Sequence, residues 1–219
     1  GIALDGDGDR LIMVDERGHT LDGDQLLWVI ARSRQRAGRL SGPVVGTQMS
    51  NLGLELALDG LGVAFHRARV GDRYVLEMLQ AHHGQLGGES SGHIVCLDRT
   101  TTGDGVVSAL QVLAAAVEQN ASLSQVADGM DKLPQHMINV PIARGSNPMT
   151  DPRVTAAVRD VEGVLGSAGR VLLRPSGTEP VLRVMVEGED AGSVRAHAEA
   201  LASQVAGLCQ PQARASSGD

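Results

Sequence analysis

Apolar residues along the chain follow two alternating patterns. Short apolar runs predict strands, and longer stretches in which apolar residues recur every three or four positions predict helices. The predicted strands lie at 1–4, 11–14, 44–46, 63–65 and 94–97, and the predicted helices lie at 22–38, from 51, at 72–81 and at 106–117. Strands that alternate with helices in this way indicate an α/β domain with a mixed, largely parallel sheet.

Two of these helices carry clear signals. Asp22, with Gln25 three residues later, is typical of a capping box, and Gly38 predicts the helix end. The buried stripe of this helix is predicted to be Leu26, Leu27 and Ile30. The later helix has an apolar stripe made of Val106, Leu110, Leu113 and Val117.

The C-terminal third predicts a second, smaller domain. Pro134 and Pro141 indicate a linker, after which a helix at 151–160 precedes two strands, at 170–173 and 181–186. A last helix repeats apolar residues at Val194, Ala198, Leu201, Val205 and Leu208. This order predicts an α+β domain over residues 138–209, after an α/β domain over 21–133, and a disordered tail at 210–219.

Composition narrows the classes of partner. The chain has 19 basic and 26 acidic residues, a net charge of −7, which argues against nucleic acid as a partner. Only Trp28, Phe65 and Tyr74 are aromatic, so a bound sugar must be held by hydrogen bonds and charge rather than by ring stacking. The core must be aliphatic.

Cellular location is inferred from cysteines and apolar runs. Cys96 and Cys209 lie far apart and fit no metal-ligand spacing, which favours a reduced, cytoplasmic protein. No apolar stretch approaches the roughly 20 residues that span a membrane, so no membrane partner is expected. The chain begins at Gly1 inside a predicted strand, so we expect the natural N-terminus to lie upstream.

Three loops carry candidate chemistry, and the first is acidic. Asp5, Asp7 and Asp9 alternate with glycines, so three carboxylates can converge on one divalent cation, and oxygen ligands suit Mg²⁺. An EF-hand is an alternative because Glu16 falls at loop position 12, but Arg10 replaces the required glycine at position 6. A solvated acidic turn is the other alternative.

The second loop is Gly-Gly-Glu-Ser-Ser-Gly-His at 87–93. Its carboxylate, hydroxyl and imidazole groups suit the hydroxyls of a sugar, although an ordinary turn has similar composition. The third loop is Arg-Pro-Ser-Gly-Thr-Glu-Pro at 174–180, with Arg183 on the next strand. Arg174, the hydroxyls of Ser176 and Thr178, and the backbone N–H groups of 176–178 predict a phosphate site; a plain hairpin turn is the alternative.

Together, in this order, the loops resemble those of the α-D-phosphohexomutases. The metal loop matches at Asp5, Asp7 and Asp9, and the sugar loop matches at Glu89 and Ser91. The phosphate loop matches at Arg174, Ser176, Gly177 and Thr178. The resemblance implies that residues 1–20 are the tail of the metal-binding second domain, and that the third and fourth domains follow.

Finer matches point to one branch of the family, which acts on glucosamine phosphates. They lie at 46–53, 70–75 and 183–187; Ser90 departs from the Gln that this branch often carries. The implied reaction interconverts glucosamine 6-phosphate and glucosamine 1-phosphate through a phosphoserine and a bisphosphate, for UDP-N-acetylglucosamine and cell-wall synthesis. Mg²⁺ is the implied cofactor, with Arg10 supporting developing charge.

The family's reactive serine has no match among these residues. The resemblance therefore implies an N-terminal part of the same protein as a partner, beside the hexosamine phosphate, and is compatible with a homodimer. This chain alone is expected to be inactive. His93 is a candidate for the general base, and a base in the N-terminal part is the alternative. Two alternatives remain open: a phosphomannomutase/phosphoglucomutase, which Gly71-Asp72-Arg73 disfavours, and a non-catalytic sugar-phosphate-binding fragment.

Overall fold

The computed structural model describes residues 1–143, 148–176 and 179–209. The chain divides into two compact units, residues 1–132 and residues 133–219. The predicted tail at 210–219 and two residues of the phosphate loop, Gly177 and Thr178, lie outside the described residues. Within the described part, no helix is long and apolar enough to cross a membrane.

The first unit is an α/β structure with two sheets. In chain order its elements are β1 (Ile2–Leu4), β2 (Leu11–Val14), β3 (Thr20–Leu21), α1 (Gly23–Arg36), β4 (Val44–Thr47), α2 (Leu52–Asp59), β5 (Phe65–Ala68), α3 (Asp72–Ala81), β6 (Leu86–Gly88), β7 (Ile94–Cys96), α4 (Gly105–Glu118) and α5 (Leu123–Ala127). One sheet is antiparallel, in the order β1-β2-β3. The other has the order β5-β4-β6-β7, with β5, β4 and β6 parallel and β7 antiparallel. The predicted α/β fold with a mixed, largely parallel sheet is confirmed.

Helices cover both faces of the mixed sheet. Side chains alternate between faces along a strand, and Val44 joins the apolar cluster of α1, α2 and α4, whereas its neighbour Val45 joins the cluster of α3. The predicted stripe of α1 is fully buried, and the capping box of Asp22 and Gln25 is present. This core is aliphatic, as expected, except for the buried Trp28 and the partly buried Phe65.

Strand β6 was not predicted, because Gly87 and Gly88 were assigned to a loop. Glycine is required at both positions because neighbouring backbone packs against the strand too closely for a side chain. A Cβ on Gly87 would lie 2.7 Å from the carbonyl oxygen of Val45, and one on Gly88 would lie 2.8 Å from that of His93. Strand β5 also lies two residues later than the predicted 63–65.

Helix α4 faces the core with its small residues. Ala109, Val112 and Ala115 are buried, with Ser108 beside them. The predicted apolar stripe is instead exposed: Val106 54%, Leu110 56%, Leu113 40% and Val117 79%. Small side chains let α4 approach α1 and β7 closely, and this leaves the larger aliphatic residues on the outward face.

The second unit is an antiparallel sheet packed against helices, which confirms the predicted α+β fold. Its elements are β8 (Gln135–Pro141), α6 (Pro152–Leu165), β9 (Gly169–Pro175), β10 (Val181–Gly188) and α7 (Ala191–Cys209), with the sheet order β8-β10-β9. The predicted linker between Pro134 and Pro141 is in fact strand β8, whose alternating burial is typical of a half-buried strand. Pro141 is tolerated because β8 is an edge strand of the sheet.

Candidate functional site

The acidic loop is the turn of a hairpin between β1 and β2. The strands pair with Leu4 opposite Leu11, and the six residues 5–10 connect them. Gly8 adopts a positive φ of 75°, and its N–H donates to the carbonyl of Asp5 at 3.3 Å. Because strands rather than helices flank the loop, the EF-hand alternative is wrong.

The three aspartates of this loop converge. One carboxylate oxygen from each of Asp5, Asp7 and Asp9 lies within 4.8 Å of the other two. Arg10 is the adjacent cation: its Nε lies 3.7 Å from Asp5 Oδ2 and 4.0 Å from Asp9 Oδ1. Desolvation raises the pKa of Asp5, but the Arg10 backbone N–H, which donates to Asp5 Oδ1 at 3.2 Å, helps to hold that pKa below its ordinary value.

His93 joins the acidic loop to the sugar loop. Its ring is buried, with 5% exposed, and Nδ1 lies 3.0 Å from Asp9 Oδ2. A backbone hydrogen bond from Leu11 N–H to Gly92 O, at 3.0 Å, adds a second link. The structure therefore brings the first two predicted loops together, and it fixes the orientation of one predicted metal ligand.

The environment of His93 argues against a general base. Within residues 1–132, all of which are described, Nε2 is buried without a hydrogen-bond partner. A Cβ on Gly103 would lie only 2.2 Å from this atom, so glycine is needed for the ring to fit. An enclosed Nε2 has no access to a substrate hydroxyl, and Nδ1 is already engaged by Asp9.

Ser91 and the metal loop face the same depression. It has a volume of about 300 Å³ and is lined by Ala3, Leu4, Asp5, Arg10, Ile12 and Ser91. Ser91 is exposed at this surface, and Arg10 has 55% of its side chain exposed. A hydroxyl, a guanidinium group and a metal-ligand candidate can thus reach one small ligand.

Glu89 follows directly after β6 and is oriented by the backbone. Its Oε1 accepts a hydrogen bond from Gly71 N–H at 2.7 Å, and Gly71 adopts a φ of 126° as it begins α3. The start of α1 packs against the same loop, since Gly23 N–H donates to Ser90 O at 3.1 Å. The carboxyl ends of parallel strands are the usual ligand-binding edge of such sheets.

Asp24 is a buried carboxylate that the sequence did not single out. It is 1% exposed, and its Oδ2 accepts a hydrogen bond from Asn51 N–H at 2.8 Å, which ties α1 to the turn after β4. Oδ1 is buried and has no hydrogen-bond partner within the fully described first unit. Burial raises the pKa of Asp24 to about 6, against the hydrogen bond from Asn51. A lone Asp inside a helix N-terminus gives no sequence signal of burial.

In the second unit, two predicted phosphate ligands lie side by side. Arg174 on β9 pairs directly with Arg183 on β10, and Asn139 on β8 lies on the other side of Arg183. Neither arginine has an acidic partner among the described residues, and the Nε atoms of both are buried without a hydrogen-bond partner there. Two adjacent guanidinium groups that have no acidic partner among the described residues are the arrangement that an anion would stabilise.

Ser176 lies at the start of the hairpin turn. Its N–H donates to Val181 O at 2.9 Å, and its hydroxyl oxygen accepts a hydrogen bond from Glu179 N–H at 3.3 Å. The backbone N–H of Ser176 is therefore engaged within the hairpin, although it was expected to contribute to the anion site. Gly177 and Thr178, which were expected to contribute as well, lie outside the described residues.

Comparison with known proteins assigns both units to parts of one family. Residues 22–133 match the model "Phosphoglucomutase/phosphomannomutase, alpha/beta/alpha domain III", and residues 137–204 match "Phosphoglucomutase/phosphomannomutase, C-terminal domain". The chain is 65% identical over 205 residues to the phosphoglucosamine mutase of Alkalilimnicola ehrlichii, with 94% of this chain and 46% of the relative covered. It is 60% identical over 206 residues to that of Nitrosococcus oceani, again with 94% and 46% covered.

The chain thus spans about half the length of the relatives it matches. Among solved structures, Aspergillus fumigatus N-acetylphosphoglucosamine mutase in complex with GlcNAc-6P and magnesium is similar, with a TM-score of 0.76 and 20% identity. That similarity covers 93% of this chain and 51% of the fungal chain. At this identity the likeness establishes the fold alone.

Proposed function

Because the chain belongs to the phosphoglucomutase/phosphomannomutase family, we propose that it supplies the metal-, sugar- and phosphate-binding residues of a phosphoglucosamine mutase. This isomerase would interconvert glucosamine 6-phosphate and glucosamine 1-phosphate through a phosphoserine and a bisphosphate, in the cytoplasm, for UDP-N-acetylglucosamine synthesis. The relatives at 56–65% identity that carry this name support the proposal. In it, residues 1–20 end the metal-binding domain, 21–133 form the sugar-binding domain, and 138–209 form the phosphate-binding domain.

The convergence of Asp5, Asp7 and Asp9 is the observation that carries the proposal. Three carboxylate oxygens within 4.8 Å repel one another unless a cation is shared, and an all-oxygen donor set suits Mg²⁺. These three residues would hold the ion, which supplies positive charge against a phosphoryl group when bound. His93 would keep Asp9 in the orientation that binding requires, as outer partners of metal ligands do.

The residues around the metal loop would hold the sugar. Ser91 would hydrogen-bond a hydroxyl, and Glu89 would accept from another with the carboxylate oxygen that Gly71 leaves available. Arg10, exposed beside Asp5, would support negative charge that develops on the transferred phosphoryl group. The enclosed Nε2 of His93 argues against that residue as the general base, and the family's phosphoryl-carrying serine has no match among these residues.

In the second unit, Arg174 and Arg183 would bind the phosphate that is not reacting. Their positions opposite each other on β9 and β10 allow two charge-assisted contacts to one anion. The hydroxyls of Ser176 and Thr178 and the backbone at Gly177 would complete the site. Glucosamine 6-phosphate and glucosamine 1-phosphate carry the phosphate at different positions of the sugar. This site would therefore accept the phosphate of both isomers.

Two other functions remain as alternatives. A phosphomannomutase/phosphoglucomutase would use the same metal and phosphate loops, and the segment Gly71-Asp72-Arg73 at the start of α3 disfavours it. A non-catalytic sugar-phosphate-binding fragment is the second alternative, because the chain spans less than half of its relatives. Comparing turnover of glucosamine, mannose and glucose phosphates distinguishes the proposed function from the first alternative. Mutase activity of a complete protein distinguishes it from the second.

The binding test uses a full-length protein in which this chain replaces the matching residues of the Alkalilimnicola ehrlichii relative, here called the joined protein. A charge-assisted contact is worth roughly 1.5–3 kcal/mol, or about 10- to 150-fold in affinity. Arg174→Ala should therefore weaken glucosamine 6-phosphate and glucosamine 1-phosphate by similar factors in calorimetry. Arg174→Lys should recover part of the loss, because a point charge cannot reproduce a bidentate fork.

The matched control is Arg195→Ala, which removes an exposed arginine from α7. It should leave both affinities unchanged. Equal binding of both sugar phosphates by Arg174→Ala and the parent would mean that residues 174–178 are only a hairpin turn.

A further inference from the structure

Asp24 is buried at the start of α1, beside two elements of the ligand-binding edge. Its side chain leaves the first turn of the helix and is 1% exposed. The turn after β4, residues 48–51, leads into α2 at Asn51, whose N–H donates to Asp24 Oδ2 at 2.8 Å. The side chain of Ser50 also hydrogen-bonds this carboxylate. Asp24 therefore holds the turn that leaves the carboxyl end of β4.

The same helix start contacts the sugar loop. The N–H of Gly23 donates to the carbonyl oxygen of Ser90 at 3.1 Å. A Cβ on Gly23 would collide with the carbonyl oxygen of Glu89, so glycine is required for the first turn of α1 to lie against the loop backbone. Two consecutive residues, Gly23 and Asp24, therefore join the sugar loop to the turn after β4.

The turn after β4 lies at the centre of the ligand-binding edge. Strand β4 pairs with β5 on one side and with β6 on the other, and Glu89 follows β6 directly. Arg67 on β5 holds this turn from the other side, since its Nη1 donates to Thr47 O at 3.1 Å and to Ser50 O at 2.7 Å. Support of this kind is what keeps a binding site in one geometry.

Stability alone does not explain a carboxyl group at this position. Oδ1 of Asp24 is buried without a hydrogen-bond partner within the fully described first unit, and proteins leave few buried polar atoms unpaired. Burial raises the pKa of Asp24 to about 6; the charges that act on it are Asp22, which raises the pKa further, and Lys132, which lowers it. A desolvated carboxylate kept at a binding edge despite this cost indicates a role in function.

We propose that Asp24 is a positioning residue of the sugar site, whose charge fixes the turn after β4 and, through the start of α1, the sugar loop. The inference rests on the proposed function for the class of ligand, a sugar phosphate. A charged acceptor makes stronger hydrogen bonds than a neutral one, so ionised Asp24 holds Asn51 and Ser50 more tightly than protonated Asp24 does. Sugar-phosphate affinity therefore increases as Asp24 ionises.

The binding test compares the joined protein with its Asp24→Asn variant between about pH 5 and about pH 8. Asn replaces the carboxylate with a neutral group of the same shape. The ligand is glucosamine 6-phosphate, whose own phosphate titrates near pH 6. The readout is therefore the ratio of the two dissociation constants at each pH, which does not contain the titration of the ligand.

Asp15→Asn is the matched control, because Asp15 is another buried carboxylate of the first unit and lies outside the sugar loop and the turn after β4. Desolvation raises the pKa of Asp15, but hydrogen bonds from the N–H groups of His19 and Arg17 hold it below its ordinary value. Asp15 therefore stays charged throughout the measured range, and the ratio for its variant should not change with pH.

The ratio for Asp24→Asn should be about one at the lowest pH and should rise to roughly fivefold at the highest, the difference between a charge-assisted and a neutral hydrogen bond. Its midpoint should lie near pH 6, where Asp24 ionises. A ratio that is constant over this range, or one that Asp15→Asn reproduces, would overturn the proposal.

Nuclear magnetic resonance of this chain tests the same coupling without a sugar phosphate. The carboxyl carbon of Asp24 and the amides of Asn51 and Ser90 should share one midpoint, and both amides should lose it in Asp24→Asn. A Ser90 amide that does not respond would overturn the proposal even if the Asn51 amide responds. The parent chain alone shows whether the midpoint is shared, so this test stands if Asp24→Asn does not fold.

The two measurements distinguish this inference from the proposed function. A shared midpoint in this chain, together with a joined protein that binds no sugar phosphate, would support the coupling and contradict the proposed function. Binding of the sugar phosphate with no change in the ratio would support the proposed function and overturn the role of Asp24.

Discussion

The pairing of Arg174 with Arg183 predicts that removing one of these side chains stabilises the protein, whereas most mutations destabilise it. The two side chains lie directly opposite each other on β9 and β10, and neither has an acidic partner among the residues that the structure describes. Replacing Arg183 with Met keeps the long aliphatic stem but removes one of two repelling charges. Arg183→Met should therefore stabilise the protein in the absence of anions.

The magnitude follows from the register. Directly opposite residues on antiparallel strands have Cβ atoms about 5 Å apart. Two unit charges roughly 6 Å apart repel by about 0.7 kcal/mol in water and about 2.8 kcal/mol at an effective dielectric constant of about 20. Both side chains are half-buried, so we expect a gain of about 1 kcal/mol, or about 2–4 °C in Tm for a chain of this length.

Phosphate should reverse the order of stability. At 100 times its Kd, inorganic phosphate stabilises the parent by about 2.7 kcal/mol, whereas Arg183→Met should lose most of that effect. The assay is thermal unfolding of this chain in phosphate-free buffer and in a phosphate titration. Arg195→Met, which removes the same charge from the exposed side of α7, is the control and should respond to phosphate like the parent.

A lower Tm of Arg183→Met without anions, together with an undiminished response to phosphate, would refute this reasoning. The two arginines would then be held by contacts that the register does not reveal, and the phosphate site would have to lie elsewhere.

Three further predictions concern the first unit. Asp7→Asn in the joined protein should lower Mg²⁺ affinity and turnover far more than sugar-phosphate affinity, and unchanged turnover at limiting Mg²⁺ would contradict the metal assignment. His93→Ala should weaken Mg²⁺ binding about 10- to 100-fold, because Asp9 loses the hydrogen-bond partner that orients it. His93→Asn keeps a donor near the position of Nδ1 and should recover part of the lost affinity. Equal Mg²⁺ affinities of His93→Ala and the parent would mean that His93 only contributes packing. The pKa of Asp24 is raised by burial from its ordinary value to about 6, so its contribution to stability is complete below about pH 4 and is lost as the pH rises to about 6, at a cost of about 3 kcal/mol at most. Asp24→Asn should accordingly raise the Tm at pH 8 but not at pH 4, and an equal change at both pH values would show that Asp24 does not titrate in this range.

The fold was largely predictable because its signals are local. The capping box of α1, the apolar runs of β2 and β7 and the alternation of strands with helices were all visible in the sequence. Strand β6 was missed because Gly87 serves close backbone approach to β4 and Gly88 close approach to the start of β7, tertiary requirements that resemble a loop signal. The direction of the α4 stripe was also invisible, since helical spacing says that residues share a face but not what covers it.

The candidate site was predictable to the level of loops but not of contacts. The spacing of Asp5, Asp7 and Asp9 predicted their convergence, which the structure has. His93 faces Asp9 rather than a substrate because two hairpins approach each other, and the two residues are 84 positions apart in sequence. No local pattern encodes that approach. Asp24 was missed for the same reason, because its burial is created by the turn after β4.

Turnover by the joined protein tests the central claim most directly. With Mg²⁺ and a bisphosphate activator, its rates with glucosamine 6-phosphate, mannose 6-phosphate and glucose 6-phosphate are compared, and this chain alone is assayed beside it. The account predicts conversion of glucosamine 6-phosphate to glucosamine 1-phosphate by the joined protein at the highest kcat/KM of the three, and no conversion by the chain alone. A folded joined protein that prefers mannose or glucose phosphate, or that converts none of the three, would contradict it.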